Sequence, residues 1–213
     1  MNNKCYIFGS MPVARLNHVI DENDLVIAAD GGLKNTEKFN IKPNYIVGDF
    51  DSLGYVPEGS NIIKHPVMKN ETDTILAVDV GFNDGYKEFI IYGCLGGRLD
   101  QTVASLQTAN YVAQNGGNAV FVDERTYATV IRNSSITFSA DCKGTISVFS
   151  QSDVSKGVTE EGLLYSLTNE TLTSGFPLGV SNEFTGKQST VSVDDGILNI
   201  IWQTEAGSYK IGG

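Results

Sequence analysis

Apolar residues run in short unbroken blocks through the first half of the chain and in alternating patterns through the second. The blocks at 5–8, 25–29, 45–47, 89–92 and 119–122 each stop at a Gly or an Asp. Unbroken runs of this length suit strands buried on both faces, and the stretches between them at 73–80 and 101–113 read as helices. In the second helix Val103, Leu106, Ala109 and Ala113 recur at three- and four-residue spacing, which predicts the buried stripe. Strands alternating with helices imply a parallel sheet with crossover helices, hence an α/β domain over residues 1–125.

Beyond Asp123 the period changes to two, at 127–131, 136–138, 145–149, 190–193 and 197–201, with no helical stretch. The predicted second domain, residues 126–213, is therefore a small antiparallel β-sandwich. Asp194-Asp195-Gly196 reads as a hairpin turn pairing the last two strands, and residues 204–213 read as a fraying tail.

Composition narrows the partners. A chain of 213 residues with 41% hydrophobic content can bury a substantial core. A net charge of −10 without a Lys/Arg cluster argues against nucleic acid or an anionic membrane as partner, so an anionic substrate would need a cation's help. Cys5, Cys94 and Cys142 are scattered and odd in number, as expected of free thiols in a reducing compartment. The N-terminus has no signal-peptide core and no long apolar run follows, so the expected location is cytoplasmic.

The candidate chemistry lies at the strand ends. In parallel α/β sheets ligands bind outside the carboxyl ends of the strands. Asp30-Gly31-Gly32 follows one strand, Asp49 and Asp51 follow another, and Gly96-Gly97-Arg98-Leu99-Asp100 follows a third, with Asp73 opening a helix after Thr72. Carboxylates gathered on one rim repel unless a cation joins them. An all-oxygen donor set favours Mg²⁺, held by Asp49, Asp51 and Asp73, with Ca²⁺ the second choice and Zn²⁺ disfavoured. Glycine-rich loops opening helices present N–H groups to phosphate, and Arg98 can grip phosphate oxygens with its forked guanidinium. Two plainer readings stand beside these: Arg98 in an ion pair with Asp100 or Glu88, and Asp100 as a helix N-cap. His18 and His65 lack metal-ligand spacing.

These blocks, with "GLLYSLTNETL" at 162–172 and "GVSNEFTG" at 179–186, resemble thiamine pyrophosphokinases over residues 5–202. The resemblance implies a Rossmann-like α/β domain followed by a β-sandwich, transfer of pyrophosphate from ATP to the hydroxyl of thiamine, and a homodimer with thiamine near the subunit interface. It implies Asp49, Asp51 and Asp73 as Mg²⁺ ligands, and Asp30, Gly31, Gly32, Thr72 and Arg98 around the nucleotide. It further implies Asp100, Gln101, Tyr165, Ser181 and Asn182 around thiamine, with Asp73, Arg98 and Asp100 closest to the reaction. Two departures from the family's Asp-x-Thr-Asp pattern stand out: Asn70 replaces the first acid, and Ile75 stands where an acid often follows. A sugar-nucleotide transferase would also use Asp-x-Asp, and a thiamine or nucleotide sensor would fit the departures. The first of these finds no support in "GGRLD" or "GVSNEF".

Overall fold

The computed structural model describes residues 3–50, 62–64 and 71–212 and divides into two compact units, 1–124 and 125–213. The expectations attached to Asp51, His65 and Asn70 fall outside the described residues.

In the first unit, β1 (Cys5–Phe8), β2 (Leu25–Ala29), β3 (Tyr45–Gly48), β4 (Ile62–Lys64), β5 (Glu88–Tyr92) and β6 (Asn118–Asp123) form a sheet. Their order is β6-β5-β1-β2-β3-β4, and every pairing is parallel. All residues of β1 and β2 are buried, as the unbroken apolar runs require. Ile7, Ile27 and Ile91 are among the fully buried side chains, each worth about 1.5–3 kcal/mol of transfer free energy.

Three helices accompany these strands among the described residues: α1 (Leu33–Lys38), α2 (Asp73–Asn83) and α3 (Leu99–Gln114). The buried stripe of α3 is Ser105, Thr108, Ala109 and Val112, rotated from the apolar face the sequence suggests; Val103 is half exposed. The rotation is possible because the buried hydroxyls have carbonyl partners within reach. Thr108 Oγ1 donates to the Ala104 carbonyl at 2.9 Å, and Ser105 Oγ lies 3.0 Å from the Gln101 carbonyl.

The order of strands fixes where a ligand can sit. The chain lays β2, β3 and β4 successively on one side of β1, then returns to place β5 on its other side. Connections leaving β1 and β5 therefore diverge, opening a crevice beyond their carboxyl ends.

The second unit contains two antiparallel sheets. One orders β12 (Gly179–Glu183), β9 (Thr145–Ser150), β14 (Ile197–Gln203) and β7 (Thr126–Arg132). The other orders β11 (Leu167–Thr173), β10 (Val154–Glu161), β13 (Ser189–Ser192), β8 (Ser135–Phe138) and β15 (Tyr209–Ile211). Buried Phe138 of one sheet meets buried Trp202 of the other edge to face, ring centroids 5.3 Å apart, giving a sandwich-like core.

Two local expectations are corrected here. β13 pairs with β8 and β10 whereas β14 pairs with β7 and β9, so Asp194-Asp195-Gly196 carries the chain between sheets and makes no hairpin. The turn is held elsewhere: the Lys156 N–H donates to the Asp195 carbonyl at 2.8 Å. Residues 209–211 are likewise no loose tail, because they form the edge strand against β8. Among the described residues no helix is long and apolar enough to cross a membrane.

Candidate active site

A cavity of about 430 Å³ opens at the carboxyl ends of β1, β2, β3 and β5. Gly9, Ser10 and Met11 line it after β1, Asp30 after β2, Asp49 after β3, and Gly93 and Cys94 after β5. The start of α2 contributes Glu71, Thr72, Asp73 and Thr74, and the start of α3 contributes Arg98, Gln101 and Ser105.

Each acid is placed by local backbone. Asp30 is 6% exposed, with φ 45°, a left-handed conformation uncommon for a residue with a side chain. Gly48 makes that possible, since a Cβ there would lie 3.1 Å from the Asp30 Cα. Asp30 Oδ1 is buried without a hydrogen-bond partner among the described residues. A buried, unsatisfied carboxylate oxygen is costly, and in a cavity wall it marks a place where a ligand completes the bonding. Asp73 sits in the first turn of α2, where the helix's positive end favours a carboxylate, and Thr72 caps that helix by accepting from the Ile75 N–H at 3.3 Å.

Arg98 and Asp100 take the ion-pair alternative. Arg98 Nε and Nη2 donate to Asp100 Oδ1 and Oδ2 at 3.1 and 2.6 Å, and both side chains are largely exposed. The hydrogen bonds from Arg98 hold the Asp100 carboxyl below its usual range. Asp100 is not the helix cap: Arg98 occupies the cap position without a side-chain bond, and Asp100 Oδ1 instead accepts from the Gln101 N–H at 3.0 Å. An exposed pair of this kind is weakly held, which leaves the guanidinium available to an anion entering the cavity.

Gly31 and Gly32 are buried in the turn behind Asp30. A Cβ on Gly32 would lie 1.8 Å from the Phe8 carbonyl oxygen, so this glycine allows the turn to press on the end of β1.

Several residues that shape the cavity or its loops carry no motif. Asn35, 5% exposed, accepts from the Val13 N–H at 3.0 Å and donates to the carbonyls of Gly9 and Met11 at 2.7 and 2.8 Å. It thereby holds the loop that follows β1. Asn35→Ala is expected to lower stability by about 3 kcal/mol through three unpaired backbone groups, read as a drop in the urea midpoint at unchanged m. Ser105 Oγ donates to the Cys94 carbonyl at 2.7 Å, tying α3 to the loop after β5. Burial pushes the Cys94 thiol up to about 11, so at neutral pH it is protonated and no nucleophile.

In the second unit the three residues the sequence grouped differ in exposure, two facing solvent and one buried. Tyr165 is 66% exposed. Ser181 is exposed, with φ 61°, inside a bulge of β12 between Gly179 and Asn182. Bulges of this kind re-aim side chains next to functional sites. Asn182 is 5% exposed and bonded to Tyr165, Glu183 and the buried Glu160. Burial raises the Glu160 carboxyl above its ordinary value, against the bond from Asn182.

The donor set fits a hard divalent cation. Asp30, Asp49, Glu71 and Asp73 face one cavity, and an unsatisfied carboxylate oxygen lies in its wall. Among the described residues no three acidic, His or Cys side chains form a cage by themselves. Such a cation would thus be held by one or two carboxylates and by substrate oxygens, the usual habit of Mg²⁺.

Fold and cavity define a two-unit chain whose α/β half carries an acid-lined cavity at the point where strand order reverses. Residues 16–121 match the family model "Thiamin pyrophosphokinase, catalytic domain", and residues 133–198 match "Thiamin pyrophosphokinase, vitamin B1 binding domain". The chain is 28% identical over 193 residues to the thiamine pyrophosphokinase of Bacillus subtilis (strain 168), spanning 87% of this chain and 90% of that one. Among solved structures, that of thiamine pyrophosphokinase from Bacillus subtilis superposes with a TM-score of 0.84 at 24% identity, covering 96% of this chain and all of that one. The thiamin pyrophosphokinase of Geobacillus thermodenitrificans gives 0.80 at 24% identity, covering 95% and 98%. The chain belongs to the thiamine pyrophosphokinase family.

Proposed function

We propose that the chain transfers the pyrophosphoryl group of ATP to the hydroxyl of thiamine, giving thiamine diphosphate and AMP. The observation that carries this reading is the meeting of Asp30, Asp49, Asp73 and Arg98 on one cavity, in a chain of this family. We read the parallel sheet as the Rossmann-like nucleotide-binding half.

Asp49 and Asp73, with Asp51, are the residues that would hold Mg²⁺. Bound there, the ion would neutralise phosphate charge as the β-phosphorus is attacked. The chain's own residues supply the rest. Arg98 exchanges its exposed partner Asp100 for phosphate oxygens, a bidentate grip of the same geometry. Thr72 sets the start of α2, whose positive end favours an anion; Asp30, Gly31 and Gly32 shape the nucleotide wall. Asp100 and Gln101 orient the thiamine alcohol, and Asp73 or Asp100 accepts its proton.

On the second unit, the exposed ring of Tyr165 offers its face to the cationic ring of thiamine, and Ser181 offers a hydroxyl aimed by its bulge. Leu164, Tyr165, Phe176, Leu178 and Val180 are exposed apolar residues of the same unit, which supports a homodimer. We read the protein as cytoplasmic, in keeping with its three free cysteines.

Purified protein given ATP, Mg²⁺ and thiamine is expected to release AMP and thiamine diphosphate, resolved by chromatography. ADP as the sole nucleotide product rejects pyrophosphoryl transfer.

A further inference from the structure

We propose that Glu160 is a positioning residue for Tyr165, acting through the side-chain amide of Asn182 across the two sheets of the second unit. The inference rests on the assignment of Tyr165 to thiamine made above.

An asparagine amide has two acceptor positions and two donor hydrogens, and in Asn182 all four are used. Oδ1 accepts from the N–H groups of Tyr165 and Glu183, both at 2.9 Å. Nδ2 donates to the Tyr165 carbonyl at 2.6 Å and to Glu160 Oε2 at 2.8 Å. The amide therefore has no capacity left for a ligand, and Asn182 acts by holding Tyr165 rather than by touching substrate.

Its two bonds to Tyr165 reproduce what a neighbouring peptide unit would do. They prolong a short ladder already begun by the Leu163–Phe184 bridge and by the Leu164 N–H donating to the Glu183 carbonyl at 3.0 Å. The backbone of residue 165 is thus fixed through both its N–H and its carbonyl, while its ring stays 66% exposed. An exposed aromatic on an immobilised backbone loses less freedom on meeting a ligand than one on a loose loop.

Glu160 reinforces the way the amide points, an orientation that two N–H donors and the Tyr165 carbonyl already favour. Turned over, Asn182 would set its NH₂ against two N–H donors and its oxygen against the Tyr165 carbonyl and the Glu160 carboxylate. Glu160 Oε2 accepts from Nδ2, a bond that the turned-over amide would lose. Glu160 is 1% exposed on β10, between β11 and β13, while Asn182 lies on β12 of the other sheet. A carboxylate is an expensive way to fill that space, and an aliphatic side chain would pack there without the desolvation cost. The bond to Asn182 is what an aliphatic side chain would not supply.

The test combines hydrogen exchange at the Tyr165 amide, followed by NMR on the full chain without substrate, with steady-state kinetics varying thiamine and ATP separately. In Glu160→Ala the Tyr165 amide is expected to exchange at least about tenfold faster, with thiamine KM raised about tenfold and ATP KM changed less than about twofold. Glu160→Gln, whose side-chain oxygen can still accept from Asn182, should restore both readouts toward wild type. Glu160→Met removes the acceptor while keeping the volume, and gives the same readouts if the alanine cavity prevents folding. Unchanged exchange at Tyr165 overturns the proposal, as does an equal rise in both KM values, or a wild-type thiamine KM on a loosened Tyr165. Lack of thiamine-dependent AMP release by the wild-type protein is failure of the functional reading itself, and the substrate-free exchange then still decides whether Glu160 holds Tyr165.

Discussion

Asp73→Ala is expected to lower the rate of AMP release with thiamine by at least about 100-fold while leaving the protein folded. The two effects separate because of where the carboxylate sits. It lines the cavity at the first turn of α2, but the cap of that helix is Thr72, whose hydroxyl bond to Ile75 does not involve residue 73. The favourable interaction of an acid with a helix N-terminus is worth only about 0.3–1 kcal/mol, so the thermal midpoint should move by a few degrees. Losing a carboxylate that would hold the phosphate-neutralising cation costs several kcal/mol of transition-state stabilisation, and 100-fold corresponds to about 2.7 kcal/mol. Asp73→Asn, which keeps the shape and removes the charge, should lose nearly as much. Turnover within about fivefold of wild type at saturating Mg²⁺ would falsify the placement of Asp73 in the reaction.

Gly32→Ala acts through packing alone, and is expected to destabilise the first unit by about 4 kcal/mol or more, measured by urea unfolding or as loss of soluble protein. Its φ of −60° is open to any residue, so no conformational argument applies. The obstacle is the added carbon, which would sit 1.8 Å from the Phe8 carbonyl oxygen at the end of a fully buried strand. Neither partner can yield: one is the turn that presents Asp30, the other is backbone of the central strand β1. Gly175→Ala is the matched control, because nothing lies within 4 Å of its added carbon, and it should stay within about 1 kcal/mol of wild type.

What could be read beforehand follows from which side chains do the packing. Five of the six described strands of the first unit are legible because burial on both faces demands unbroken apolar runs, and β1 and β2 have them, whereas β4 is only three residues long and is not among the predicted blocks. Helix α1 is not legible either, since it is only six residues long and buries Asn35 and Thr36 along with Leu33. The face of α3 departs from the apolar pattern for a related reason: Thr108 points inward because the helix's own Ala104 carbonyl satisfies it, and Ser105 because the Cys94 carbonyl does. In the second unit, β10 hides Ser155 and Glu160 among its inward residues and most of β11 is exposed, so neither shows a clean alternation. The acids of the cavity could be found because strand ends in a parallel sheet are where ligands go. Asn35 and Glu160 could not, because a buried polar residue is recognised by its partners, which lie 22 to 26 residues away for Asn35 and 22 away for Glu160.

The sheet order also bears on how the polypeptide is made. Within this sheet β1 leaves the ribosome before β5, yet it ends in the middle of the sheet, and one of its flanks is covered only when residues 88–92 have emerged. At translation speeds of about 5–20 residues per second the wait lasts several seconds, during which an apolar strand has an open edge. A nascent chain stalled before residue 88 should therefore be a preferred client of chaperones, and one stalled well past β6 should not.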